Sequence, residues 1–257
     1  MKRLLTMLAV ALLVGCQQSA PQAKYVFYFI GDGMGLAQVA LAEAWLAHTE
    51  DEIGFEKLSF TEFPVFGTAT TFSTYNFITC SSASGTALAT GHKTVNGMLG
   101  VTPDTLDLEA ITYKIKKAGY RVGITSTVTL DHATPGAFYA NAASRSDYYD
   151  IAVQLPRTGF DFFGGGGFVQ PEGKNKDQVS VLSLIEEGGY QIVYGIDNIE
   201  ASAGAEKMVL LQEKERDCMG ALPYAIDRKE DDMTHAALIT AAIDFLENEK
   251  GFFLMSE

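Results

Sequence analysis

The sequence predicts an α/β fold, with a mainly parallel central sheet and helices on both of its faces. Three observations carry that expectation. Short apolar runs alternate with longer segments whose apolar residues recur at helical spacing, the order of a strand–helix–strand architecture. The runs are continuously apolar and several end at glycine, which marks strands covered on both sides. The chain has 257 residues, 47% of them hydrophobic, with no internal repeat and no low-complexity linker past its leader, as suits one large domain.

Tyr25–Ile30 is the first run and reads as a buried strand. Met34–His48 follows as a helix, with Val39, Ala42 and Leu46 on one face. Thr86–Thr90 can continue as a helix out of the turn before it and stop at Gly91. Asp107–Ala118 reads as a helix with Leu108, Ile111 and Ile115 inward and Gly119 as its stop. Tyr120–Thr127 is a strand and Arg145–Leu155 a helix. Phe160–Phe163 is a short strand running into the glycines at 164–167. No G-K-[ST] follows those glycines, so they read as a close-packed turn. Val179–Glu187 is a helix, and Tyr190–Tyr194 and Lys207–Leu211 are strands. Asp232–Asn248 is a helix burying Leu238, Ala242 and Phe245, and Phe252–Ser256 is the last strand. The charged runs Glu213–Asp217 and Asp227–Asp232 read as solvated faces.

In a sheet of this kind ligands gather at the carboxyl ends of the strands. Asp32 follows the first strand, Thr134 follows the Tyr120–Thr127 strand, and Glu257 closes the last one. Three polar side chains at strand ends predict a converging site. The glycines beside Asp32 let a metal or a phosphate approach the backbone, although Gly-Asp-Gly is also a common tight turn. Thr79–Gly91, T-C-S-S-A-S-G-T-A-L-A-T-G, has the composition of a nucleophile turn leading into a helix. A hydroxyl there sits beside unpaired backbone N–H groups that favour an anion, and it can equally be a plain cap.

Taken in order, Gly31-Asp32-Gly33-Met34-Gly35, the Thr79–Gly91 turn, His132-Ala133-Thr134-Pro135, Ser144-Arg145 and Met255-Ser256-Glu257 resemble the alkaline phosphatase family. The resemblance runs from about Tyr25 to Glu257. It implies a phosphomonoester hydrolase that uses two Zn2+ and one Mg2+ and passes through a phosphoserine intermediate. Ser81 matches the family's nucleophile and also stands as a metal ligand, with Ser82 as a rival by proximity and Ser84 a turn along. Asp32 matches a ligand that bridges a zinc and the magnesium site. Thr134 and Glu257 match magnesium ligands. Arg145 matches the arginine that clamps phosphate through paired hydrogen bonds, and His132 stands where the family places a residue that holds water bound to the metal. Many members carry Asp where this chain has Cys80, and that Asp helps orient the arginine. Cys80 as the nucleophile is the weaker alternative, because the C-x-P-x-R motif of the related sulfatases is absent.

The net charge is −13, and without Lys2 and Arg3 of the leader it is −15, which argues against nucleic acid as a partner. Small phosphate monoesters remain admissible, since metal ions can reverse the field inside a cleft. Lys2-Arg3 followed by apolar Leu4–Val14 is a signal sequence too short to span a bilayer. Leu13-Val14-Gly15-Cys16 resembles a bacterial lipoprotein signal. That implies a signal peptide over 1–15, a lipidated Cys16 with a tether over 16–23, and a catalytic domain over 24–257. The expected address is periplasmic or cell-surface, with a lean to the outer membrane. Cys80 and Cys218 are too few and too distant to imply a disulfide. His48, His92 and His235 lack partners at metal-ligand spacing and read as helix or loop histidines.

Two rival readings follow from the same residues. One is a phosphodiesterase of the same superfamily, which would lack the Arg145 clamp. The other is a non-catalytic lipoprotein that binds phosphate or metal. Family members supply further Asp and His ligands in the segment that follows the Glu257 position. The chain therefore reads as the N-terminal part of a longer enzyme, a C-terminally truncated domain expected to expose a sheet edge and to turn over little substrate alone. A homodimer is common in the family.

Overall fold

The computed structural model describes residues 23–202, 204–213 and 220–257. The leader, Cys16, Cys218 and most of the first charged run lie outside the described residues. Strand β1 (Tyr25–Phe29) is followed by helix α1 (Leu36–Thr49), a long irregular segment, and helices α2 (Ser81–Thr90) and α3 (Ile111–Lys117). Then come β2 (Arg121–Thr125), the short helices α4 (Ala133–Ala137) and α5 (Tyr148–Ala152), and β3 (Phe162–Gly165). The last elements are α6 (Val181–Glu187), β4 (Gln191–Tyr194), β5 (Met208–Leu211), α7 (His235–Leu246) and β6 (Phe252–Ser256).

All strand pairs are parallel, in the order β1-β6-β2-β3-β5-β4. The expected α/β fold is what forms. The central strands β6, β2, β3 and β5 are buried on both faces, with side chains alternating between two cores. Val122, Ile124, Phe163, Val209, Phe253 and Met255 enter one apolar core with Phe138, Tyr139 and Ile185. Phe162, Met208, Leu210, Phe252 and Leu254 enter the other, under Leu238, Ala242 and Leu246 of α7. At the amino end of the sheet, Asp161 accepts from Lys116 Nζ at 2.6 Å and from the Val122 amide, tying α3 to β2 and β3.

Several expectations are corrected. Tyr25–Phe29 is a strand, but an edge strand, and Tyr25, Val26, Phe27 and Phe29 are exposed rather than buried. The helix expected from Asp107 begins at Ile111. Asp107 bridges Val101 and the Leu108 amide bonds to Gly100, so those backbone groups are spent before the helix starts. Ile111 is consequently exposed, and Thr112 is buried instead. Arg145 lies in a turn ahead of α5, because its amide bonds to Gly97 O rather than entering a helix. Asp232, read as part of a solvated face, is buried and accepts from the Lys229 amide at 2.7 Å. The glycines at 164–167 are only partly a turn: Gly164 and Gly165 end β3, paired with Leu210 and Leu211, and the close packing follows at Gly166, where a Cβ would collide with the Gly220 backbone.

Candidate active site at the carboxyl edge

The order of strands builds this site. β6 is the last strand in sequence, yet it lies between β1 and β2. The carboxyl ends of those three strands are therefore neighbours, and Asp32 after β1, Thr134 in the helix α4 that follows β2, and Glu257 after β6 are gathered there. Thr134 Oγ1 donates to Asp32 Oδ2 at 3.4 Å across 102 residues of chain. Glu257 Oε2 accepts from Ser126 Oγ at 2.8 Å, and the Glu257 backbone bonds to Thr125 and Thr127 of the neighbouring strand end. Burial pushes the Glu257 carboxyl above its ordinary range and the Asp32 charge adds to this. The Thr134 and Ser126 hydroxyls and Arg145 pull it back in part.

Arg145 and His132 form a second pair. Arg145 Nη2 lies 3.2 Å from His132 Nε2. Burial, and then the Arg145 charge, hold the imidazole below its usual range, with Asp32 opposing. His132 is therefore neutral at pH 7 and Nε2 accepts from the guanidinium. Its Nδ1 is buried without a partner.

Ser81 is the first residue of α2, and Cys80 before it has extended geometry. The structure separates the three serines of this turn. Ser82 is fully buried with its Oγ 3.1 Å from Cys80 Sγ, and Ser84 Oγ donates to the Cys80 carbonyl at 3.0 Å. Ser81 is half-buried, and its hydroxyl makes no hydrogen bond among the described residues. The turn is fixed from outside: the Cys80 amide donates to Asn96 Oδ1 at 3.2 Å, and Asn96 Nδ2 donates to the Ile78 carbonyl at 2.9 Å. Gly97 then joins the turn to the arginine. Its amide donates to Cys80 Sγ at 3.1 Å, and its carbonyl accepts from the Arg145 amide at 2.6 Å. Cys80 thus occupies a joint between nucleophile turn and clamp. Burial raises its thiol pKa, but the Ser82 hydroxyl and the amides of Ala83, Gly97 and Ser82 outweigh that and hold it below the ordinary value.

Helix α2 lies directly on α4. A Cβ at Gly85 would stand 3.1 Å from Ala137 Cβ and 3.6 Å from Thr134 Cα, so the absence of a side chain there lets the two helices meet. Ser81 begins the helix that touches the Thr134 helix, and the two halves of the site share one wall.

Ser126, Asn96 and Gly97 were not singled out in sequence. The register explains Ser126: Thr125 and Ser256 are partners, so Ser126 and Glu257 share the opposite face, a pairing that only the strand order gives. Asn96 and Gly97 act through backbone and Cys80 contacts that leave no periodic signal.

Asp32, Thr134 and Glu257 form a set of hard oxygen donors on neighbouring strand ends, and such a set fits Mg2+. Asp32 and Ser81, the residues that the sequence suggests for zinc, both lie among the described residues. No group of three or more His, Cys, Asp or Glu able to hold an ion occurs among them.

The family model described as alkaline phosphatase matches residues 23–162. Alkaline phosphatase 4 of Bacillus subtilis is 28% identical over 251 residues, covering 94% of this chain and 52% of that protein. The human tissue-nonspecific alkaline phosphatase is 28% identical over 284 residues, covering 91% of this chain and 54% of that protein. Among solved structures, the alkaline phosphatase of Thermus thermophilus superposes with a TM-score of 0.79 at 27% identity, over 93% of this chain and 50% of that one. The enzyme of the Antarctic bacterium TAB5 gives 0.75 at 27% identity, over 91% and 64%. The chain spans about half the length of the curated relatives it matches.

Proposed function

This chain belongs to the alkaline phosphatase family, and on that premise we propose that its carboxyl-edge site hydrolyses small phosphate monoesters through a phosphoserine intermediate. The observation that carries the reading is the convergence of Asp32, Thr134 and Glu257 from three adjacent strand ends beside the Arg145–His132 pair.

The residues divide the work. Ser81 presents an unpartnered hydroxyl at the amino end of α2, where helix amides favour an approaching phosphate. Its Oγ attacks phosphorus in line, the P–O bond to the alcohol breaks, and the alcohol departs with a proton. Water then splits the seryl phosphate, releasing orthophosphate and restoring Ser81. Arg145 grips two equatorial oxygens in both steps. Neutral His132 accepts from the guanidinium and leaves its full charge for the phosphate. Asp32, Thr134 and Glu257 would hold Mg2+, and Asp32 and Ser81 would contribute to the zinc sites. Bound divalent metal supplies Lewis-acid charge and eases deprotonation of a hydroxyl. A variant of the TAB5 enzyme has been solved with Mg bound in its M3 site, which supports a magnesium position in this fold.

The same reading places the protein outside the cytoplasm on a lipid at Cys16, and as a homodimer in its natural form. A silkworm relative carries the name membrane-bound alkaline phosphatase. No helix among the described residues is long and apolar enough to cross a membrane.

The test is hydrolysis of a phosphate monoester beside a diester by the natural gene product with Mg2+ and Zn2+, together with recovery of 32P on Ser81 after an acid quench. Monoester turnover with labelled Ser81 supports the proposal. Preference for the diester moves the protein to the phosphodiesterase reading, and phosphate binding without turnover moves it to the non-catalytic one.

A further inference from the structure

The sheet face opposite the candidate site carries a polar chain that the proposed reaction does not use. Thr125 and Ser256 are register partners on β2 and β6, with 0% and 1% of their surface exposed. Thr125 Oγ1 donates to Ser256 Oγ at 2.8 Å, and Ser256 Oγ lies 2.7 Å from His235 Nε2. His235 is the first residue of α7, held there by Thr234, whose Oγ1 accepts from the Ala237 amide at 2.9 Å. The surroundings are apolar: Leu254 and Phe252 precede Ser256 on the same face, under α7.

Buried hydroxyls in such a place are costly unless each has a partner. Burial holds His235 below the usual imidazole range, so the ring is neutral at pH 7. With its proton on Nδ1, Nε2 accepts from Ser256, and Ser256 accepts from Thr125. The result is one directed chain from β2 through β6 into α7. The next residue on each strand points the other way, and there Ser126 and Glu257 make their own 2.8 Å bond. Two bonds thus pin the same pair of strand ends from opposite faces. Only His235 anchors the lower one to a helix.

We propose that His235 is a positioning residue for Glu257, acting through Ser256 to hold the carboxyl end of β6 against β2. The proposal rests on the reading of Glu257 as a ligand for Mg2+. That ion tolerates little displacement of its oxygens, so the outer partners of its ligands matter to affinity, commonly by about 10- to 100-fold. Removing His235 leaves the buried Ser256 hydroxyl without its acceptor. Thr125 Oγ1, already 3.3 Å from the Met255 carbonyl, can then turn away from Ser256, and the strand end loosens.

The test compares wild type with His235→Ala, Ser256→Ala and His235→Gln in the full chain, after thermal melts establish that each variant folds. Two quantities are read: amide exchange at Thr127 and Glu257, whose N–H groups bond across β2 and β6, and Mg2+ affinity by calorimetry. We expect His235→Ala and Ser256→Ala to lose roughly tenfold in both. His235→Gln, whose amide oxygen can reach the Nε2 position, should stay within about threefold. Unchanged exchange in His235→Ala overturns the proposal. So does a loss in His235→Gln equal to that in His235→Ala, which would signal packing alone. If wild type takes up no Mg2+, the reading of Glu257 as a ligand fails. The exchange data then decide by themselves whether His235 holds the strand end.

Discussion

Thr134 and Asp32, separated by 102 residues, meet at 3.4 Å between Oγ1 and Oδ2. Neither is on a strand. Asp32 follows β1, which ends at the sheet's edge, and Thr134 sits in the short helix that follows β2. β6 fills the one place between those strands, and Glu257 ends beside them. A set of oxygen donors arises from three segments that no local signal connects.

The serine turn yields the most direct prediction. In the natural gene product, Ser81→Ala should lower phosphomonoester turnover by several orders of magnitude and abolish covalent labelling by phosphate. Ser82→Ala should retain the label, because Ser82 is buried and engaged with Cys80. Labelling followed by peptide mapping distinguishes the two.

Cys80 should ionise more readily than free cysteine. Its environment holds it below the ordinary cysteine range. Alkylation by iodoacetamide, mapped to this residue by mass spectrometry, should show a midpoint at lower pH than free cysteine. Orthophosphate should protect it, since Cys80 adjoins Ser81 and is joined through Gly97 to Arg145. Equal rates with and without phosphate would separate Cys80 from the phosphate pocket.

Asp131 should cost stability at neutral pH. It is fully buried, its Oδ1 has no partner, and burial pushes its carboxyl up to about 6 from an ordinary 3.8. A raised carboxyl pKa means that the folded state binds the proton more tightly than the unfolded one. Its contribution is whole below about pH 4 and is lost as pH rises through about 6, a difference of roughly 3 kcal/mol. Asp131→Asn retains an oxygen for the Val169 amide, which Asp131 Oδ2 accepts at 2.9 Å. Urea unfolding at pH 5 and pH 8 should find the variant gaining on wild type at the higher pH.

Gly100→Ala should destabilise the wall behind the serine turn. Gly100 has φ +64°, and a Cβ there would collide with the Ala140 carbonyl. Its amide donates to Thr86 Oγ1 at 2.8 Å, joining α2 to the strand-like segment beside it. The left-handed conformation alone costs about 1–2 kcal/mol for a residue with a side chain, and the collision adds to that. Thermal denaturation should show a lower midpoint than for wild type.

Much of the secondary structure was legible. Phe252–Ser256 forms as expected, and β2, β4 and β5 lie inside their expected spans, because these runs are short, apolar and flanked by glycine or charge. Helices were overextended where backbone groups are spent elsewhere, as at Asp107 and Arg145. Tyr25–Phe29 has the composition of a buried strand but lies at the edge. Hydropathy reports what a strand could bury and not which neighbours it finds.

By itself the sequence determined the fold class, the strand segments, and the residues that stand just past them: Asp32, Thr134 and Glu257, with Ser81 at a helix start. Local periodicity places the strands and the polar residues that follow them, while the choice of Ser81 within its turn and the roles of Asp32, Thr134 and Glu257 follow from the resemblance to the alkaline phosphatase family. Only the tertiary structure decided that β6 inserts between β1 and β2, that Ser81 rather than Ser82 is left free, and that His235 has a buried partner. Those facts depend on strand order and on which face each side chain takes. Both are set by long-range packing between segments that are far apart in the chain.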